Sequence, residues 1–333
     1  MQIMAIMLIY GMKQQKKGSP QRLKRTDLVM GTLYLFNELY ESREAESIWD
    51  ISIPIDDLRD HLKERYGVEY TSSQWIFTQL RRYEDELGAP LFVRNSVKNS
   101  KNFHLALYPN MIEFVQKQHL YVPQKIKVAN GVFDKIQSTT VGFKEVKLCL
   151  GAGSTMFHLA QIFIQHQQEL TAPCRLYTHN AGLLPMLCDQ SVDNRHLPIV
   201  VAGGEIDSVT RTILGDSTHF FPTRDFDFLI QGTSVVHDGK LYIESEEEIV
   251  RKADLLHNHS GTKMLVLTKH ECQDEPISGI QPYGELRDYD YVVVPRSVGH
   301  QNLKRYDYRF QQYHDLFEPE IMNWNYSILK VKK

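Results

Sequence analysis

The sequence predicts an α/β protein with an open, mostly parallel sheet and a separate helical region in front of it. Six short apolar segments each read as a strand and each end at a polar or glycine-rich turn, whereas residues 27–87 show helical spacing of apolar positions. Parallel strands of an open sheet present their following loops at one edge, where ligands bind. The loop order therefore predicts a ligand site. The six segments begin at Val146, Arg175, Pro198, Phe226, Met264 and Tyr291.

The composition is that of an ordinary globular protein. The 333 residues are 42% hydrophobic and 24% charged, with a net charge of −3, and suffice for two domains and a sizeable core. The four cysteines form no CxxC pair, so we expect reduced core residues, no metal, no cofactor and a cytoplasmic location. The apolar stretch 1–10 is too short to cross a bilayer and lacks the features of a signal peptide.

Three helices and a hairpin are predicted near the N-terminus. Apolar spacing and terminal signals indicate helices over Asp27–Tyr40, Ile55–Tyr66 and Thr71–Leu87, the last opening with Thr71 as its cap. Two strand-like segments around a basic turn follow, over 91–107. This order is typical of a winged helix-turn-helix, in which the third helix enters the major groove of DNA and the wing contacts its backbone.

Basic residues in this region are segregated rather than abundant. Residues 1–110 hold 15 Lys and Arg against 14 Asp and Glu, but the acids cluster at 41–60 and 84–86. A basic arm precedes the first helix, and a solvated linker explains it equally well. A helical packing domain without DNA is the alternative to DNA binding, and Gln74 can serve its helix cap instead of a base. The candidate DNA contacts are Ser72, Ser73, Gln74, Phe77, Thr78, Arg81, Arg82, Arg94, Lys98 and Lys101.

Glycine turns and paired charges follow the predicted strands. The loop Gly151-Ala-Gly-Ser-Thr155 leads into an apolar helix, and its backbone N–H groups and hydroxyls suit a phosphate, although a tight structural turn also explains it. A second glycine turn lies at 202–205, and the stretch 213–218 is predicted to open a helix. Glu248 and Lys252 stand four apart on one helix face, which also fits an ordinary surface ion pair.

With these motifs in order, residues 146–295 resemble the C-terminal effector domain of DeoR-type bacterial transcriptional regulators. The first helix region, the arm and the C-terminal tail are extra, and only Gln79-Leu-Arg-Arg-Tyr-Glu84 is loosely similar to the recognition helix of that family. The motifs are G-A-G-S-T at 151–155, T-H-N at 178–180, A-G-G-E at 202–205, L-G-D-S at 214–217, G-T-S at 232–234, E-x-x-x-K at 248–252 and L-T-K-H at 267–270.

The resemblance implies a Rossmann-like open sheet of the phosphosugar isomerase and coenzyme A transferase type. Together with the patterns above, it divides the chain into five parts: a basic arm (1–26), a winged helix-turn-helix domain (27–108), a linker (109–145), an effector-binding and oligomerisation domain (146–296) and a C-terminal extension (297–333). The effector-binding residues that it implies are Gly151, Gly153, Ser154, Thr155, Thr178, Asn180, Gly203, Gly204, Glu205, Gly215, Gly232, Glu248 and Lys252.

The function implied is that of a DNA-binding transcriptional regulator, expected to be a repressor rather than an enzyme. Its partners would be palindromic or repeated double-stranded DNA, a small phosphorylated metabolite and further copies of the chain, with no membrane. Two departures from the family pattern, Gly151 in place of an acid and Glu271 near a lysine slot, leave a nucleotide-like or non-sugar effector open. The alternatives are a phosphosugar isomerase-like or acyl-transfer enzyme and a protein-interaction module with a degenerate ligand site.

Overall fold

The computed structural model describes residues 22–42, 45, 47–96, 102–109, 111–188, 197–215, 221, 225–296 and 305–333. The chain divides into two compact units, Met1–Pro123 and Gln124–Lys333, and each is described by itself. Across these ranges, no helix combines the length and the apolar character that a membrane span requires.

The first unit contains helices and a small antiparallel sheet. Its three strands are hydrogen-bonded in the order β1-β3-β2. The predicted helices and hairpin are confirmed to within a few residues. The elements are α1 (Arg25–Ser42), β1 (Ser52–Pro54), α2 (Ile55–Tyr66), α3 (Ser73–Leu87), β2 (Phe92–Ser96), β3 (Phe103–Leu107) and the short α4 (Phe114–Lys117).

Local capping explains where α2 and α3 begin and end. Gly67 closes α2 in the left-handed conformation with φ 68°, which glycine adopts at little cost. Helix α3 begins at Ser73 because the Ser72 hydroxyl accepts the N–H of Trp75 at 3.2 Å. The prediction that Thr71 caps this helix is therefore wrong by one residue.

The second unit is built on an eight-stranded sheet with helices beside it. The sheet order is β15-β16-β14-β12-β9-β4-β5-β6. Its elements and those of two smaller sheets are α5 (Val122–Thr139), β4 (Val146–Leu150), α6 (Ser154–Gln165), β5 (Cys174–Thr178), α7 (Leu184–Cys188), β6 (Ile199–Val201), β7 (Glu205–Ile206), β8 (Ile213–Leu214), β9 (Phe228–Gln231), β10 (Val235–His237), β11 (Lys240–Tyr242), α8 (Glu246–His257), β12 (Thr262–Val266), β13 (Gly284–Glu285), β14 (Tyr291–Pro295), α9 (Arg305–Gln311), β15 (Phe317–Met322) and β16 (Tyr326–Val331).

The six strands predicted from the sequence are the parallel part of this sheet. They lie in the order β14-β12-β9-β4-β5-β6, and each neighbouring pair is parallel. Numbered along the chain, this is the 3-2-1-4-5-6 order of doubly wound α/β proteins. The predicted fold class is confirmed: an α/β open sheet whose order reverses between β4 and β9.

Both faces of the sheet are covered, as alternating strand residues show. A side-chain carbon added to Gly131 of α5 would lie 2.9 Å from Val293, so α5 packs directly on β14. The neighbouring Val292 and Val294 belong instead to a buried cluster that contains Leu256 of α8. Successive side chains of a strand point to opposite faces, so α5 and α8 cover opposite sides of the sheet. The free thiols Cys149, Cys174 and Cys272 are buried within this unit.

In three stretches the observed secondary structure differs from what the sequence predicted. The region treated as a linker, 109–145, contains the whole of α5, which has a buried apolar stripe. The C-terminal extension adds β15 and β16, and β16 pairs antiparallel with β14. Ile213–Leu214 forms a strand and not the start of a helix; residues 216–220 lie outside the described ranges.

Candidate functional site

The loops that follow β4 and β9 lie side by side at the point where the strand order reverses. The N–H of Gly151 donates to the carbonyl of Ile230 at 2.9 Å, and a side-chain carbon at Gly151 would lie 3.4 Å from that same oxygen. The end of β4 is therefore in direct contact with the end of β9, and a side-chain carbon at Gly151 would fit beside it in ordinary van der Waals contact. Crevices beyond the carboxyl ends of strands at such a reversal are the usual ligand sites of this fold.

The glycine loop after β4 leads into α6 without a side-chain cap. Gly153 is the residue before the helix, with φ 107°, a conformation that other residues rarely adopt. The first N–H groups of a helix have no partner within the helix and carry a partial positive charge. Ser154 and Thr155 occupy the first turn, so hydroxyl and amide groups meet there. This arrangement can bind an anion.

Thr178, the last residue of β5, and the next two residues, His179 and Asn180, are fully buried, and His179 and Asn180 hydrogen-bond to this glycine loop. The amide nitrogen of Asn180 donates to the carbonyl of Gly153 at 2.9 Å, and the N–H of Ala152 donates to Nε2 of His179 at 3.2 Å. Burial, assisted by the nearby charges of the α8 cations, lowers the pKa of His179 to about 3, so the ring is neutral and can accept. The structure therefore gives Asn180 a positioning role.

Lys125 of α5 reaches the same loop and is not among the residues predicted from the sequence. Its ammonium donates to the Ser154 hydroxyl at 2.9 Å, and the residue is only 5% exposed. Its charge also acts on Glu271, whose carboxylate accepts the Thr268 hydroxyl at 3.0 and 3.1 Å. Burial raises the pKa of Glu271, although these hydrogen bonds and the Lys125 charge oppose the shift.

A signal for Lys125 is nevertheless present in the sequence. The residue occupies a position on the apolar stripe of α5, in helical register with Val122, Ala129 and Val132, all of which are buried. A lysine in such a stripe is rarely fully buried unless it has a partner. The pattern therefore indicates a buried cation, but its partner belongs to a loop 29 residues away, which the local pattern does not reveal.

Glu248 and Lys252 form a buried pair on α8. They are 7% and 2% exposed, and Lys252 Nζ lies 4.0 Å from Glu248 Oε1. The lysine also donates to the carbonyl of Gly232 and lies 5.1 Å from the ring of Tyr283, while the Thr212 hydroxyl donates to Glu248 at 3.3 Å. The interpretation as a surface ion pair is therefore wrong. The pair lies against the loop that follows β9.

The second glycine turn has a structural explanation. A side-chain carbon at Gly204 would lie 2.0 Å from the carbonyl oxygen of Leu214, and one at Gly215 would lie 2.4 Å from that of Gly203. These glycines let the backbones on either side of the β7–β8 ladder touch. Glu205 pairs with Leu214 and is exposed. Nothing in this geometry requires a ligand role for Gly203, Gly204, Glu205 or Gly215.

The surface of α3 is the second candidate site. Ile76, Leu80 and Glu84 are buried on one side of the helix. Ser73, Phe77 and Thr78 are half-buried, whereas Ser72, Gln74, Arg81, Arg82 and Arg94 are exposed. Lys98 and Lys101 lie outside the described residues.

Two contacts attach β2 to α3. At one end, Oε1 of Glu84 accepts the N–H groups of Leu91 and Phe92 at 2.6 and 2.7 Å, and Glu84 also pairs with Arg81 at 3.1 Å. At the other end, Arg94 donates to Gln74 at 3.0 Å. The helix and the strand are therefore held together at both ends, by a buried contact at Glu84 and an exposed one at Gln74.

Comparisons with known proteins give only distant similarities. No protein-family model matches the sequence, and no curated protein matches it. The chain is similar to ribose 5-phosphate isomerase from Plasmodium falciparum, with 11% identity and a TM-score of 0.31 over 63% of this chain and 78% of that one. It is also similar to eIF2B delta from Chaetomium thermophilum, with 10% identity and a TM-score of 0.33 over 87% of this chain and 96% of that one. The fold assignment rests on the strand order, because similarities of this size do not establish one.

Proposed function

We propose that this chain is a DNA-binding transcriptional regulator of the DeoR type, acting as a repressor, with a winged helix-turn-helix in its first unit. The order helix, strand, helix, helix, strand, strand with a β1-β3-β2 sheet supports this proposal. The observation that carries it is the exposed face of α3, where Gln74, Arg81 and Arg82 are solvent-accessible. Such side chains can reach base edges and phosphates in a major groove.

We expect Arg81→Ala combined with Arg82→Ala to weaken DNA binding about tenfold or more, because two cations of the proposed groove-facing surface are removed. Fluorescence anisotropy with a duplex from the DNA upstream of the gene measures the affinity at several salt concentrations. A plot of log K against log salt has a negative slope, and its magnitude should decrease by about 1 for each phosphate that the variant no longer neutralises. Lys240→Ala, an exposed cation on β11 of the second unit, is the charge control. Full affinity in the double variant would contradict the placement of the recognition helix.

The second unit is proposed to bind a small phosphorylated metabolite at the strand-order reversal. Two buried lysines support this: Lys125 beside the loop after β4 and Lys252 beside the loop after β9. The uncapped start of α6 adds backbone donors beside Lys125. Cations and amide donors that converge at a loop edge favour a phosphate-bearing ligand.

Ribose 5-phosphate is a suitable probe for this site. We expect it to raise the melting temperature of the wild-type protein and to do so far less for Lys125→Met, with about tenfold weaker binding for the variant. Lys144→Met, which changes an exposed lysine two residues before β4, should respond like the wild type. If other pentose and hexose phosphates and nucleotides also fail to shift the melting temperature, the proposed ligand class is incorrect.

The regulator is further proposed to act as a homodimer or higher oligomer on palindromic or repeated DNA. Dimeric helix-turn-helix proteins read half-sites about one helical turn apart. The effector can control DNA binding only if it prefers one of two arrangements of the dimer. Sedimentation of the complex with one-half-site and two-half-site duplexes tests this stoichiometry.

A phosphosugar isomerase-like activity is the second candidate. It is favoured by one observation, the burial of a carboxylate and an ammonium together on α8 at the edge of the proposed ligand site. Such a pair can supply a general base and an electrostatic partner for proton transfer. Steady turnover of pentose or hexose phosphates that is lost on Glu248→Gln would favour the enzyme over the regulator.

A further inference from the structure

The surface between α3 and β2 holds one arginine in a defined position. Nη1 of Arg94 donates to Oε1 of Gln74 at 3.0 Å. The same guanidinium lies 4.3 Å from the ring centre of Phe103 and 5.7 Å from that of Phe77. These two rings contact each other edge to face, with their centres 5.5 Å apart. The arginine is therefore fixed by a hydrogen bond and two cation–π contacts although it is exposed.

This contact determines how the Gln74 amide is oriented. A guanidinium has donors and no acceptor, so only the amide oxygen of Gln74 can be its partner. The amide nitrogen of Gln74 consequently faces away from Arg94. Among the residues that the structure describes, none accepts its hydrogens. The Gln74–Arg94 pair thus presents N–H donors at this surface, while its one strong acceptor is already engaged.

The four base pairs differ in the acceptors and donors that they expose in the major groove. Guanine exposes two acceptors, N7 and O6, whereas adenine exposes one acceptor and one N–H₂ donor. A free glutamine pairs with adenine because its oxygen accepts from that donor while its nitrogen donates to N7. The Gln74 oxygen keeps a second lone pair, but the Arg94 guanidinium beside it places positive charge and further N–H donors there, which disfavours the approach of the adenine N–H₂ donor.

We infer that α3 prefers guanine to adenine at the base that faces Gln74, because Arg94 places its positive charge and N–H donors beside the amide oxygen of Gln74. The inference rests on the proposed function, since it assumes that α3 enters a major groove. Arg94 thereby determines specificity through the side chain of Gln74, in addition to any contact that Arg94 itself makes with DNA. The recognised partner is a duplex with a guanine at that position.

Selection of duplexes from a random pool by the full chain, followed by anisotropy, tests the inference. The position that loses discrimination in Gln74→Ala is the one that faces Gln74. There, the wild type should bind guanine about tenfold more tightly than adenine. Arg94→Met frees the amide oxygen, so the guanine preference should disappear or turn to adenine. Arg82→Met, which removes the same charge but does not contact Gln74, should keep the guanine-to-adenine ratio while weakening both.

The outcomes separate this inference from the proposed function. If duplexes are enriched but the position sensitive to Gln74 prefers adenine, or keeps its guanine preference in Arg94→Met, the inference is wrong and DNA binding stands. The same holds if no position depends on Gln74. If no duplex is enriched by a chain with a wild-type circular dichroism spectrum, the proposed function fails and the inference fails with it.

Discussion

Lys252→Met should be about 3–5 kcal/mol less stable to unfolding than the wild-type protein, the usual cost of removing one partner from a buried ion pair. Methionine fills much of the lysine volume, so packing changes little. The carboxylate of Glu248, however, stays buried with the Thr212 hydroxyl as its described hydrogen-bond donor. The carbonyl of Gly232 loses the ammonium donor as well. The destabilisation therefore comes from a buried carboxylate and a backbone carbonyl that have each lost the ammonium of Lys252.

Urea unfolding followed by circular dichroism measures this loss. Lys240→Met, which replaces an exposed lysine in the same unit, should change stability by less than about 0.5 kcal/mol.

A double variant distinguishes the loss of a pair from the loss of a lysine. Glu248→Gln with Lys252→Met leaves two neutral side chains, so it should recover more than half of the stability lost by Lys252→Met alone. A double variant as unstable as the single one would mean that the contacts of Lys252 with Gly232 and Tyr283 matter more than its charge partner.

Gly204→Ala is expected to destabilise the second unit by about 3 kcal/mol or more. The new methyl group would lie 2.0 Å from the backbone oxygen of Leu214, and no side-chain rotation relieves a clash with backbone. The φ of 148° adds strain, since residues other than glycine rarely adopt it. The β7–β8 ladder must therefore open, and Thr212, which lies just before β8, would lose its position beside Glu248.

The adjacent glycine is the matched control for this substitution. An added side-chain carbon at Gly203 meets no atom within 4 Å, so Gly203→Ala should cost less than about 1 kcal/mol. Thermal unfolding of the two variants side by side measures the difference. Equal stability of Gly203→Ala and Gly204→Ala would contradict the close backbone contact described here.

Local sequence patterns were sufficient for the parallel core of the sheet and for the helices of the first unit. Strands such as Val146–Leu150 and Tyr291–Pro295 are continuous apolar runs that end in a turn, as expected for strands buried on both faces. Helix α2 was predicted with its correct bounds because Pro54 and Gly67 mark its two ends. Such signals act over a few residues and can be read directly.

Edge elements and short strands were harder to predict. Strand β15 reads F-E-P-E-I-M and is mostly exposed, so it lacks an apolar pattern. A proline and charged side chains are typical of a strand at the edge of a sheet. The sequence signal for β8 is weak for another reason: two residues are too few to show a period.

The sequence by itself determined the six parallel strands, their turns and the glycine loop at the start of α6, because each depends on neighbours along the chain. Only the tertiary structure decided that Glu248 and Lys252 are buried, that Lys125 meets Ser154, and that Arg94 engages Gln74. In these cases the partner, or the surface that excludes water, comes from another element. Burial and charge pairing depend on how two elements that are distant in the sequence pack together, and a local sequence pattern does not specify that packing.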